Sequence, residues 1–412
     1  MIDFTIQPFS FLSFEDLIGK TFNSPNTFGA LTSICLNDQQ PLIFSRTYNQ
    51  TEDGTYGQGI RAPPYDQTFY QGEKAFLFGL KNTSDFRTNV GFLNLEDIPI
   101  ELQFQLYDED GIEIASSSYT LPALSHLQIN NIFSSLSIFK EYNSAWAKVW
   151  TDTRGGRFTA YSSIVDNTTG DPVYLEAKPF GGYTPEDFHL VIPVLASVPG
   201  AYRTNWKTEV VFTNSSIEEN EIKLKYHPAT REKPIIESFT LEPGKVKYYF
   251  DFLYDVFGIE KSFGWLEVDF SSAGLLLRAR IYTGESGTYG QGIQAEKKKE
   301  LYLSTSPIYL LNLIENGDYR TNLGILNLSD EEGTFTLELI KDSLVLTQKT
   351  ISIPAKTLKQ LNSVLSSIFE VLGDGFTLKI SALEGAICTA YLSTVDNKTG
   401  DAVFQLFSFE SH

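Results

Sequence analysis

Methionine occurs once in the 412 residues, cysteine twice and histidine four times, and each scarcity removes a class of chemistry. Two cysteines, Cys35 and Cys388, near opposite ends of the chain, are too few for a disulfide scaffold or a cysteine zinc site and read as free, buried thiols. The histidines, His126, His189, His227 and His412, share no metal-ligand spacing such as His-Glu-x-x-His, so no zinc hydrolase of that type is indicated. Basic residues are in deficit, 32 Lys plus Arg against 51 Asp plus Glu; the formal charge of −19 repels phosphate backbones and argues against a nucleic-acid partner. No apolar run approaches the roughly 20 residues that span a bilayer. A Gly-x-x-x-x-Gly-Lys phosphate loop and a dinucleotide fingerprint are missing. Gly284-Glu285-Ser286-Gly287 falls short of a nucleophile elbow, with Thr288 where the last glycine belongs. The opening Met1-Ile2-Asp3-Phe4 lacks the basic region and cleavage site of a signal peptide, and Met1 reads as standing in place of an upstream portion of a longer chain.

What is present is a folding composition rich in rings. Hydrophobic residues make up 42 %, with 31 Phe and 21 Tyr, against 20 % charged, which excludes a disordered chain. Self-comparison then reveals repeats. Gly54-Thr55-Tyr56-Gly57-Gln58-Gly59-Ile60 returns unchanged as Gly287-Thr288-Tyr289-Gly290-Gln291-Gly292-Ile293. Arg87-Thr88-Asn89 returns as Arg320-Thr321-Asn322, with Arg203-Thr204-Asn205 about halfway between. Val165-Asp166-Asn167-Thr168-Thr169-Gly170-Asp171 returns as Val395-Asp396-Asn397-Lys398-Thr399-Gly400-Asp401. A proline followed eight positions later by Asp or Asn occurs at Asp16, Asn130, Asp251 and Asn362, each before apolar residues. An Asx side chain caps the free amides of a first helical turn, so each reads as a strand running into one short capped helix.

These repeats divide the chain into a half unit, 1–62, and three full units, 63–180, 181–296 and 297–412. In the first full unit Ala75 to Leu80, Thr88 to Leu95, Ile100 to Tyr107, Ser116 to Leu121, Ala145 to Trp150 and Phe158 to Val165 read as strands. Alternation is plain in Glu101-Leu102-Gln103-Phe104-Gln105-Leu106, and Asp108-Glu109-Asp110-Gly111 is a tight turn. The expected fold is all-β, a tandem array of antiparallel sandwich domains of immunoglobulin-like type.

The pattern resembles the tandem immunoglobulin-like repeats of bacterial cell-surface and secreted proteins. That resemblance implies a non-enzymatic structural or adhesive module, extracellular or at the cell surface, with another protein or a glycan as partner. A carbohydrate-binding protein and a polysaccharide-active enzyme with surface carboxylates are the alternatives. The half unit, lacking half a sandwich, is expected to expose an edge that invites self-association.

Candidate sites follow from the repeated segments. Arg87, Arg203 and Arg320 read as structural, each locking a loop within its own unit, over a repeated anion or glycan contact. Tyr56, Gln58, Tyr289 and Gln291 carry an amphipathic ring beside glycines that let a partner approach; junction packing is favoured over recognition. Asp166, Asn167, Asp171, Asp396, Asn397 and Asp401 offer oxygen ligands for Ca²⁺, with an Asx-stabilised hairpin the favoured reading. No other cofactor is expected.

Overall fold

The computed structural model describes residues 2–7, 11–37, 41–179, 188–200, 204–230, 233–297, 301, 307–382, 386–406 and 408–409. The protein is all-β, built from antiparallel sheets with a few short helical turns. Two compact units divide the chain: one holds Ser45–Glu300 and Thr399–Ala402, the other Met1–Phe44, Leu301–Lys398 and Val403–His412.

Within 63–180 two sheets enclose one core. One sheet orders Pro172–Glu176, Arg157–Asp166, Phe86–Asn94 and His126–Ile129; the other orders Lys178–Pro179, Ala75–Asn82, Tyr142–Thr151, Ile100–Tyr107 and Glu113–Leu121. The period-two pattern sets the facing. In Ile100–Tyr107, Ile100, Leu102, Phe104 and Leu106 are buried while Glu101, Gln103 and Gln105 point outward. They meet Val90, Phe92, Phe158 and Ala160 of the opposite sheet, each fully buried Leu or Phe contributing roughly 1.5–3 kcal/mol. The six strands read from the sequence are all present; the short His126–Ile129 strand, with only four residues and a half-buried pattern, has too little periodicity to read.

The same strand order recurs in the later stretches. Asn205–Asn214, Leu275–Thr283 and Tyr289–Gln294 correspond to Phe86–Asn94, Arg157–Asp166 and Pro172–Glu176, as do Tyr319–Asn327, Cys388–Asp396 and Ala402–Leu406. A threonine fixes the alignment. The hydroxyls of Thr88, Thr208 and Thr321 each donate to the backbone carbonyl of the neighbouring strand at Lys81, Ala196 and Ile314. Six residues later, Asn94, Asn214 and Asn327 are buried and donate from Nδ2 to carbonyls of the following loop and strand, Leu121, Leu241 and Ile353 among them.

That register corrects one reading from the sequence. The counterpart of Arg87-Thr88-Asn89 in the third stretch is Lys207-Thr208-Glu209, because Thr208 makes the strand bridge. Arg203, by that register, falls outside the correspondence and lies outside the described residues.

The capping residues also differ from one stretch to the next. Asp16 Oδ1 accepts from Gly19 N at 3.0 Å and caps the π-helical turn Leu17–Thr21. In the next stretch the cap is Asn131, one residue past Asn130; Asn130 accepts from the Gln128 side chain instead. Asp251 precedes Phe252–Phe257 without a side-chain cap bond and pairs with Lys207 at 3.1 Å. Asn362 accepts from Gln360, and Val364 occupies the cap position before Leu365–Phe369. The short helices are set by burial of Ile132 and Phe133, or Phe252 and Leu253, more than by their caps.

Residues 1–62 contribute the hairpin Phe44–Thr51 and Gly54–Arg61. The apolar run Ala30 to Cys35 forms no strand, and Leu31, Ile34 and Leu36 are exposed: a strand needs a partner ladder, and none of the described residues supplies one. Cys388 is buried and Cys35 half-buried, both free, and burial pushes the Cys388 thiol up to about 12.

Candidate functional site

The two repeated segments that differ most, Gly-Thr-Tyr-Gly-Gln and Asp-Asn-x-Thr-Gly-Asp, occupy the same place in the strand order, the turn after the strand equivalent to Arg157–Asp166. Within the unit formed by Ser45–Glu300 and Thr399–Ala402 they fit together in unlike pairs.

The Asp166 turn is closed from inside. Asp166 Oδ1 accepts from the N–H groups of Thr168 and Thr169 at 2.8 and 2.9 Å, and Gly170, at φ +78°, donates to the Asp166 carbonyl. Asp166 Oδ2 then reaches outward, accepting from both the N–H and the hydroxyl of Thr288 at 2.8 Å. Burial alone would raise the Asp166 carboxyl, but these donors outweigh it and hold the group below its ordinary value. Thr169 Oγ1 donates to the Thr288 carbonyl, and Gly290 N–H donates to Asp171 Oδ2 at 2.9 Å.

The second pairing repeats the first. Thr399 Oγ1 donates to the Thr55 carbonyl at 2.8 Å, and Gly57 N–H donates to Asp401 Oδ2 at 2.9 Å. Arg46 and Arg280 stand in equivalent places, each donating from Nη2 to the nearby threonine hydroxyl, Thr55 or Thr288. Arg46 lies 3.1 Å from Asp401 Oδ2 and Arg280 lies 3.8 Å from Asp171 Oδ2. Glycine is required at 57 and 290 because a Cβ would collide with the backbone of the adjacent strand at Thr47 or Ile281. The tips meet as well: the rings of Tyr56 and Tyr289 lie 6.2 Å apart, and Gln58 accepts from Ser163 Oγ at 2.9 Å. Gln291 is buried.

The arginine and asparagine of the repeats form a separate clamp. Arg87 Nη1 donates to Asn167 Oδ1 at 2.7 Å, and in the other unit Arg320 Nη1 donates to Asn397 Oδ1 at 2.6 Å. Each arginine thus braces the Asp-Asn turn of its own stretch. Asp396 Oδ1 accepts from Lys398 N–H, as Asp166 does from Thr168. Asp166, Asn167, Asp396 and Asn397 thus turn oxygens onto protein donors, as Asp171 and Asp401 do with Oδ2 alone, and no group of three or more His, Cys, Asp or Glu suited to a metal occurs among the described residues.

A second buried cluster joins the stretches 63–180 and 181–296. Lys81 Nζ lies 2.7 Å from Glu209 Oε2, Arg278 Nη1 lies 3.0 Å from Glu209 Oε1, and Arg278 Nη2 donates to the Gly79 carbonyl at 2.9 Å. Burial lowers the Lys81 ammonium to about 8 although Glu209 pulls it up. Burial would raise Glu209, yet Lys81 and Arg278 bring it down to about 2. Beside it Trp146 stacks on Tyr107 at 4.3 Å and donates from Nε1 to the Gly244 carbonyl.

Sequence reasoning found both turn segments but missed Arg46, Arg280 and the whole Lys81–Glu209–Arg278 cluster. The first two were legible as Arg46-x-Tyr48 and Arg280-x-Tyr282 before each glycine hairpin. The cluster has no sequence signal, since its members belong to different stretches. No protein-family model matches the chain, and no curated protein sequence matches it significantly.

Proposed function

We propose that the chain is a non-enzymatic structural or adhesive module of immunoglobulin-like sandwich repeats, working outside the cell. The observation that carries this reading is that the repeat-specific polar groups are spent on one another. Asp166 binds Thr288, Asp171 binds Gly290 and Asp401 binds Gly57, so these groups serve to hold turn against turn. Such locks stiffen the unit formed by Ser45–Glu300 and Thr399–Ala402, and stiffness is the property a spacer or scaffold needs. Reducing-sugar release from a panel of polysaccharides tests it: no release above background is expected, and release by the purified chain would replace this reading with the enzymatic one.

One observation favours a glycan partner for the module. Arg157 lies between the rings of Tyr65 and Tyr70, 3.7 and 3.6 Å from their centroids, and both rings are about half exposed. Rings held rigid in this way offer outer faces on which a sugar stacks. A glycan array comparing the chain with Tyr65→Ala/Tyr70→Ala is expected to show binding that the double variant loses; equal binding by both would remove this assignment.

A further inference from the structure

We propose that Asp171 and Asp401 share one proton, which makes the junction of the four turns a lock that tightens as the pH falls. The two acids come from equivalent turns, and both are fully buried. Each uses its Oδ2 in the same way, accepting the N–H of Gly290 or Gly57 beside an arginine. Each is left with a buried Oδ1 that accepts no hydrogen bond. Two buried carboxylates with one unanswered oxygen apiece are costly when both are charged, and a single proton relieves the repulsion.

The surrounding charges do not cancel this. Arg280 and Arg46 face the pair from the strands Leu275–Thr283 and Phe44–Thr51, Tyr56 and Tyr289 from the hairpins, and Asp166 from the adjoining turn. Asp166 is a third acid, already committed to Thr288, and it adds repulsion. Burial and then the charge of Asp401 raise the Asp171 carboxyl well above its ordinary value, with Arg280 opposing; burial raises Asp401 too, against Arg46 and Gly57. For an acid whose folded value is raised, the sign is the reverse of the common case. The folded state holds the proton more tightly than the unfolded chain, so its stabilisation is full below the unfolded value near 4 and is lost as pH rises through the folded one.

The test is a melting series from about pH 4 to about pH 8 on the full chain, Asp171→Asn and Asp401→Asn. Asparagine keeps an acceptor for the glycine N–H and removes one charge. Asp171→Asn, whose arginine is the more distant, is expected to melt a few degrees above the parent at the alkaline end, with the gap closing toward the acid end. Infrared spectra supply an independent readout that survives a poorly folding variant: the parent near pH 5 shows the C=O stretch of a protonated buried carboxyl, and either variant that folds changes it. A gap between parent and variant that does not vary with pH, or a parent spectrum without a protonated carboxyl near pH 5, would overturn the proposal.

Discussion

Glu209 stands in the strand position that Asn89 holds one stretch earlier, and the exchange turns a local hydrogen bond into a buried ion cluster. Asn89 Oδ1 accepts from Asn131 N–H at 3.0 Å, and Asn322 does the same for Ser363 at 3.1 Å. Glu209 accepts instead from Lys81, Arg278 and Tyr248. Arg278 is itself an exchange: opposite Val211 in the ladder, it sits where Tyr161 faces Gly91 and Tyr391 faces Gly324. One sandwich plan is thus adapted at two positions to pack against its neighbour.

Removing the acid from that cluster leaves two cations buried without a counter-charge. Glu209→Gln is expected to cost about 3–5 kcal/mol in urea unfolding, the size seen when one partner of a buried pair is deleted. Lys81→Met, which leaves Glu209 paired with Arg278, is expected to cost less. A loss under about 1 kcal/mol for Glu209→Gln would mean that water or another group compensates the cations.

The same residue fixes an acid limit. Lys81 and Arg278 overcome the effect of burial and hold Glu209 at about 2, so its contribution is complete above the unfolded carboxylate range near 4 and drains away as pH falls toward the folded value. On the acid side the stability gap between the parent and Glu209→Gln is therefore expected to shrink only below about pH 4. A gap that instead closes between about pH 6 and 5 would point to a different titrating group.

How far the sequence carried the structure depends on the kind of signal. Strand alternation in Ile100–Tyr107 is a local property and reads directly. The turns Asp166 to Asp171 and Gly287 to Gly290 read as repeats, and their internal hydrogen bonds follow from Asp and Gly chemistry. That Asp166 finds Thr288 does not follow, because the two are 122 residues apart and nothing local marks the pairing. Identical letters also mislead: Arg203-Thr204-Asn205 copies Arg87-Thr88-Asn89, while the ladder aligns Lys207-Thr208-Glu209, whose chemistry has been rewritten for a new contact.

Asp166 is the acceptor on which one turn pair depends. Asp166→Ala leaves the N–H groups of Thr168, Thr169 and Thr288 without their carboxylate, and the last of these is buried. The expected cost is about 2–4 kcal/mol, while Thr288→Val, which removes only the hydroxyl and keeps the N–H bond, is expected to cost about 1–2. Hydrogen exchange at Thr288 N–H checks the assignment. Its protection should collapse in Asp166→Ala and persist in Thr288→Val.

The last prediction concerns a glycine that makes room for a ring. Gly324 faces Tyr391 across the ladder of Tyr319–Asn327 and Cys388–Asp396, as Gly91 faces Tyr161. In both pairs the ring lies over the glycine, so a Cβ would run into it. The ring has nowhere to go: Tyr391 is 2 % exposed, stacks on Phe404 at 5.1 Å and donates from Oη to Gln360 at 2.9 Å. Gly324→Ala is therefore expected to destabilise by about 1–3 kcal/mol through overpacking, against the usual gain in a strand from replacing glycine. In a Tyr391→Leu background, where the ring and its hydroxyl are gone, the same change should cost less than in the parent, giving a coupling of at least about 0.5 kcal/mol in the double-mutant cycle. Additive losses would show that the cost comes from the backbone of the strand and not from the ring above it.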